Sequence, residues 1–95
     1  MDRITEMAWL LAELDDAALI DGFLRSILTP KEVHDLSARW ELVKRLRRGA
    51  SQRTIARDLG VSLCKITRGS RELKRARSPL LRAVERFEDM NGSTT

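Results

Sequence analysis

The sequence predicts an all-α protein of six helices, with a helix-turn-helix spanning residues 51–74. Three observations predict it. Apolar residues recur at three- and four-residue spacing along most of the chain, the signature of helices with one buried face. Small polar residues stand where those periodic stretches begin, at Thr29, Ser51, Ser62 and Ser78, and Thr29 and Ser78 are followed at once by proline. Gly60 falls between two short periodic stretches, where glycine can enter left-handed backbone geometry at no steric cost.

The first helix is expected from Asp2 to Asp15. Ile4, Met7, Ala8, Leu11 and Leu14 form one apolar stripe, and Trp9 and Leu10 widen it. A second helix, Ala17 to Leu28, carries Leu19, Ile20, Phe23, Leu24 and Ile27, with Gly22 as a soft point. Arcs this wide need burial on more than one side, which a chain of 95 residues provides poorly by itself. A second subunit is the economical cover. Thr29-Pro30-Lys31-Glu32 combines a cap, a first-turn proline and the glutamate of a capping box. The third helix then runs to about Arg47, with Val33, Leu36, Trp40, Val43 and Leu46 expected on its buried face and Gly49 as its terminal cap. After the helix-turn-helix, Ser78-Pro79 starts a last helix from Leu80 to about Met90 that presents Leu81, Val84 and Phe87. Residues 91–95, small and polar, are expected to fray.

In the helix-turn-helix, Ser51 caps Gln52 to Leu59 and Ser62 caps Leu63 to Lys74. Ile55, Leu59, Val61 and Ile66 should lock the two helices together, and Ala56 is small where they approach. Ser62, Leu63, Cys64, Lys65, Thr67, Arg68 and Arg71 lie away from Ile66 and are free to meet a DNA groove. Gly69 is out of pattern, because an aliphatic residue is usual three positions after Ile66. Mid-helix glycine costs about 1 kcal/mol relative to alanine, so it needs a reason. Tight packing on a neighbouring helix is one reason. A flat group lying on the bare backbone beside Arg68 is the other.

Composition narrows the function. Residues 1–38 carry three basic and eight acidic side chains, a net −5, whereas residues 39–95 carry fifteen and six, a net +9. So basic a half attracts polyanions and makes binding salt-dependent. A solvated basic surface is the plainer alternative, made minor by the coincident helix-turn-helix. One cysteine and one histidine, Cys64 and His34, leave no disulfide within the chain and no His/Cys metal cluster. Neither a catalytic triad nor a phosphate-cradling glycine loop is present, and Asp15-Asp16 and Glu88-Asp89 read as exposed helix residues. An enzyme is not expected. Neither a signal peptide nor a membrane-length apolar run is read, and a cytoplasmic location is expected.

Leu28-Thr29-Pro30, Arg39, then LRRG, SQR, LG, ITRGS and LK together resemble the tryptophan operon repressor family, over about Leu24 to Lys74. The resemblance implies a six-helix subunit in an intertwined homodimer. Residues 1–50 and 78–90 would form the dimerisation core, and residues 51–75 the reading head, within a single domain. It also implies no cofactor but a small-molecule corepressor, L-tryptophan or a related indole, and double-stranded operator DNA as partner. The link before Ser51 is one residue shorter than in the best-known member.

By that resemblance Arg39 and Arg68 enclose an indole ring, where Arg39 could otherwise be a surface arginine with a carboxylate partner. Arg68 also holds a carboxylate, Gly69 leaves room, and Thr29 with the carbonyls of Ser26 and Leu28 takes a polar group or an ammonium. Glu72 stands where the best-known member has a serine near the ligand's amino group. It could pair with that ammonium, face solvent, or exclude a second carboxylate. On the DNA side, Arg53 matches the family's base-reading arginine and Gln52 positions phosphate. Leu63, Cys64 and Thr67 fall at the family's reading positions, where water-mediated contacts are a property borrowed from the family. Arg57, Lys65, Arg71 and Lys74 add charge. Cys64 is read as a small contact residue, with a redox switch as the alternative. A ligand-independent DNA-binding protein and a general basic helical nucleic-acid or interaction module are the other function classes.

Overall fold

In a computed structural model that describes residues 1–91, six helices follow one another and no strand is present among the described residues. They are α1 (Arg3–Glu13), α2 (Ala17–Ile27), α3 (Pro30–Arg47), α4 (Gln52–Leu59), α5 (Leu63–Lys74) and α6 (Pro79–Met90). The fray expected for residues 91–95 falls, apart from Asn91, outside the described residues. Internal contacts separate a first unit, Met1 to Asp35, from a second that starts at Leu36, so the division lies inside α3.

In the first unit, every helix start has a side-chain cap. Asp2 accepts from the Thr5 backbone N–H at 2.8 Å, and that bond, with one from the Thr5 hydroxyl, holds its carboxyl below the ordinary aspartate range. Because Asp2 is the cap, α1 begins one residue later than expected. It also ends earlier, at Glu13, because Leu14 turns extended and Asp16 caps α2 through Ala18 and Leu19. Leu28 likewise leaves α2 as its extended C-cap. The α3 capping box is complete: Thr29 Oγ1 accepts from Glu32 N, and Glu32 Oε1 accepts from Thr29 N at 2.8 Å. No residue of α1 or α2 is buried, and Ile4, Trp9, Leu19 and Ile27 are each more than half exposed.

The second unit contains the core. Leu42 and Val43 of α3, Ile55 of α4, Ile66 of α5 and Val84 of α6 are buried, with Trp40, Leu46, Leu59, Val61, Leu73 and Leu80 packed round them. The expectation for α3 needs one correction. Leu42, not counted on the buried face, is 1% exposed, whereas Leu36, counted there, is 50% exposed. Leu42 is buried because α5 comes down onto it at Gly69, a relation between distant residues that α3 alone cannot display. The last turn of α3 closes with Ala50 N donating to Arg45 O and Gly49 N to Leu46 O. This is a Schellman ending, made possible by Gly49 at φ 93°.

Charged side chains of α3 link it to α4 and α6. Arg45 bridges Glu41 at 2.9 Å and Asp58 of α4 at 3.3 Å, tying α4 to α3. Arg47 lies 3.7 Å from both Glu85 and Glu88 of α6. Lys44 pairs with Glu41 at 2.9 Å while its ammonium lies 5.1 Å from the Phe87 ring centre, and Trp40 meets Phe87 edge-on at 5.6 Å. No helix among the described residues is long and apolar enough to cross a membrane.

Candidate nucleic-acid interface and ligand cleft

The two short helices α4 and α5 are positioned by their connection. Ser51 Oγ accepts from Thr54 N at 3.1 Å, and Ser62 Oγ accepts from Lys65 N at 3.3 Å, so both helices begin on a serine cap. Between them Gly60 takes φ 64° and ψ 29°, the left-handed geometry that turns the chain after α4. Ile55 and Ile66 are fully buried where the two helices meet. With those two side chains inward, the outer surface is set.

Gln52, Arg53, Arg57, Ser62, Leu63, Cys64, Lys65, Thr67, Arg71 and Lys74 are all exposed. Leu63 is 58% exposed at the first position of α5. Thr67, Arg71 and Lys74 share one face of α5 and, with Gln52 at the start of α4, line a shallow groove completed by Ser70 and Arg75. Arg57 is held beside Asp58 at 3.4 Å and stays largely in solvent. The groove joins the amide of Gln52 to three basic side chains, Arg71, Lys74 and Arg75, a set whose donors suit phosphate oxygens. Sequence reasoning missed Ser70 and Arg75. Arg75 follows α5 as its cap, and charge density alone did not distinguish it from Arg77.

On another side of α5 is a cleft of about 270 Å³. Leu36, Arg39, Trp40, Leu42 and Val43 of α3 form one wall, Lys65, Arg68, Gly69 and Glu72 of α5 the other, and Leu80 of α6 contributes an end. The floor is apolar and the rim charged, and the volume falls just below the usual size range of ligand sites. Of the expected ligand residues, Arg39, Arg68, Gly69 and Glu72 are brought together here. Ser26, Leu28 and Thr29 belong to the first unit, where Thr29 is occupied in capping α3. Lys65, assigned by sequence to the DNA side, also lines the cleft. Trp40, Leu42, Val43 and Leu80 are cleft residues that sequence reasoning gave only to the core or left out.

Two residues in the cleft acquire definite surroundings. A Cβ on Gly69 would stand 2.9 Å from Leu42 Cδ1 and 3.5 Å from Leu46 Cδ1, so tight packing of α5 on α3 accounts for this glycine. Glu72 is paired one turn on, its Oε1 accepting from Arg75 Nη1 at 3.0 Å. It is the one carboxylate among the residues lining the cleft, beside three cationic groups, Arg39, Lys65 and Arg68.

Comparison with known proteins gives consistent matches. The family described as Trp repressor protein matches residues 3–88. A "Trp operon repressor homolog" of Vibrio vulnificus (strain YJ016) is 46% identical over 55 residues, 57% of this chain and 54% of that protein. One from Vibrio parahaemolyticus serotype O3:K6 is 46% identical over 60 residues, 62% of this chain and 58% of that protein. A third, from Photobacterium profundum, is 47% identical over 55 residues, covering 57% and 53%. The chain thus spans about half the length of the curated relatives it matches. No solved structure gives a significant match. With a six-helix architecture, two short helices joined at Gly60, and a family match covering nearly the whole chain, this protein belongs to the Trp repressor protein family.

Proposed function

We propose that this protein is a transcriptional repressor that binds double-stranded operator DNA as a homodimer and is activated by a small indole-bearing ligand, with L-tryptophan favoured. The single observation that carries the reading is the cleft between α3 and α5, which shares α5 with the DNA-facing groove. A ring seated between Arg39 and Arg68 would brace the recognition helix against α3. Bracing two such helices at a separation near one DNA turn, roughly 34 Å, is the geometric requirement for reading paired half-sites. By linkage, DNA then tightens ligand binding by the same factor.

The roles follow from the surfaces. Arg53 reads a base, Gln52 and Lys74 position phosphate, and Leu63, Cys64 and Thr67 meet the groove floor, with Arg57, Lys65 and Arg71 adding attraction. Residues 1–50 and 78–90 would form the dimerisation core, which is supported by the uncovered apolar side chains of α1 and α2. The protein works in the cytoplasm and performs no catalysis.

The test is binding of operator-like and random duplexes with and without L-tryptophan. Tryptophan-dependent preference for the operator is expected. Equal binding with and without ligand would instead favour a ligand-independent DNA-binding protein, and equal affinity for every duplex a general basic module.

A further inference from the structure

Arg75 occupies a position between the two surfaces. It lines the groove formed with Gln52, Thr67, Arg71 and Lys74, proposed above to meet DNA. At the same time its Nη1 donates to Oε1 of Glu72 at 3.0 Å, and Glu72 lines the ligand cleft. One ion pair therefore connects a cation lining the groove to the carboxylate lining the cleft. The partners are unequally exposed: the Arg75 side chain is 66% accessible and that of Glu72 33%. Arg75 follows the last turn of α5 on extended backbone, at φ −67° and ψ 146°, so its side chain is not confined by the helix surface.

We propose that Arg75 is a DNA-phosphate contact whose availability is set by the cleft, because a ligand ammonium displaces it from Glu72. The inference rests on the reading of the cleft and groove given under Proposed function. An exposed ion pair is weak, so exchanging one cation for another on Glu72 is easy. An ammonium held in the half-enclosed cleft is screened less than the solvent-facing guanidinium, which favours the exchange. Charge is conserved throughout: the Glu72–Arg75 pair opens, a Glu72–ammonium pair forms, and Arg75 is left to pair with a phosphate. The same weakness limits the gate to a few-fold effect on DNA affinity. The ligand class is narrowed too. An indole acid without an amine can occupy the cleft but leaves Arg75 on Glu72.

The experiment is fluorescence anisotropy with a duplex selected by the unsubstituted protein in the presence of tryptophan. Binding is measured from about 50 to 200 mM salt, since each phosphate contact contributes about 0.9 to the slope of log affinity against log salt. Three ligand conditions are used: none, saturating L-tryptophan, and saturating indole-3-propionate, with occupancy checked by calorimetry. In the unsubstituted protein, tryptophan should steepen the slope more than it does in Arg75→Gln, by up to about 0.9. Glu72→Gln should show the extra contact without ligand, and Arg75→Lys should restore the ligand-dependent increment. Indole-3-propionate should produce only the change seen in Arg75→Gln. Equal tryptophan increments in the unsubstituted protein and Arg75→Gln would overturn the exchange and leave the functional reading standing. DNA binding indifferent to tryptophan in the unsubstituted protein would overturn that reading, and the exchange with it.

Discussion

Individual side chains decide more here than their types suggest. Gly69 is the clearest instance. Its missing Cβ would point at Leu42 and Leu46 of α3, so the glycine is a packing residue as well as a cleft residue. Gly69→Val should destabilise the fold by about 1–3 kcal/mol, the scale of overpacking, measured by urea unfolding without any ligand. A stability equal to that of the unsubstituted protein would show that α3 yields at this point. The substitution is consequently a poor probe of ligand binding taken alone. Glu41 makes a different prediction. Hydrogen bonds first from Lys44 and then from Arg45 hold its carboxyl below the ordinary glutamate range. A carboxyl depressed on folding contributes stability above its unfolded pKa and loses it as pH falls through the folded one. Glu41→Gln should therefore cost stability at pH 7 and little at pH 3. Its carboxylate is 31% accessible, so the cost at pH 7 should be on the surface-pair scale, about 0.2–1 kcal/mol. A cost that persisted undiminished at pH 3 would assign Glu41 a packing role instead.

At the scale of elements, the placement of α4 and α5 depends on the turn at Gly60 and on the Arg45–Asp58 pair. Gly60 at φ 64° cannot be replaced by alanine without strain, and Gly60→Ala should cost about 1–2 kcal/mol in thermal or chemical unfolding. Under the proposed function the two helices would have different roles on DNA. Arg53→Ala should cost about 1–3 kcal/mol on the preferred operator and flatten the ranking of operator variants. Lys74→Ala should weaken all duplexes alike and lower the salt slope by about 1, as expected of a phosphate contact. If Arg53→Ala left the ranking intact, the arginine would belong with Lys74 among the positioning residues. The helix starts were legible because caps are local: Thr29, Ser51, Ser62 and Ser78 each bond a backbone N–H three residues on. The helix ends at Glu13 and Ile27 were less so, since Leu14 and Leu28 extend the apolar pattern while leaving the helix.

For the molecule as a whole, the uneven distribution of burial is the main fact. The second unit has a core drawn from four helices, whereas α1 and α2 have no buried residue at all. Exposed apolar side chains such as Leu19 and Ile27, each 53% accessible, call for a cover that one chain does not supply. Sedimentation at micromolar concentration should give only the dimer mass, and Leu19→Asp should shift the population toward monomer. A folded monomer of the unsubstituted protein would remove the paired-helix geometry on which the proposed repression depends.

By itself the sequence determined what depends on neighbours along the chain. Periodicity, caps and Gly60 specified six helices, the turn between α4 and α5, and the exposed positions on α5, because each rests on residues within a few places of one another. Tertiary structure decided what depends on where helices cross. It put Leu42 in the core and left Leu36 half exposed, because α5 meets α3 at Gly69. It gave Lys65 a place on the cleft as well as on the outer face of α5, and it joined Glu72 to Arg75. A helical pattern reports which residues share a face. Only packing reports what that face meets, and here the meeting of α3 with α5 makes the cleft.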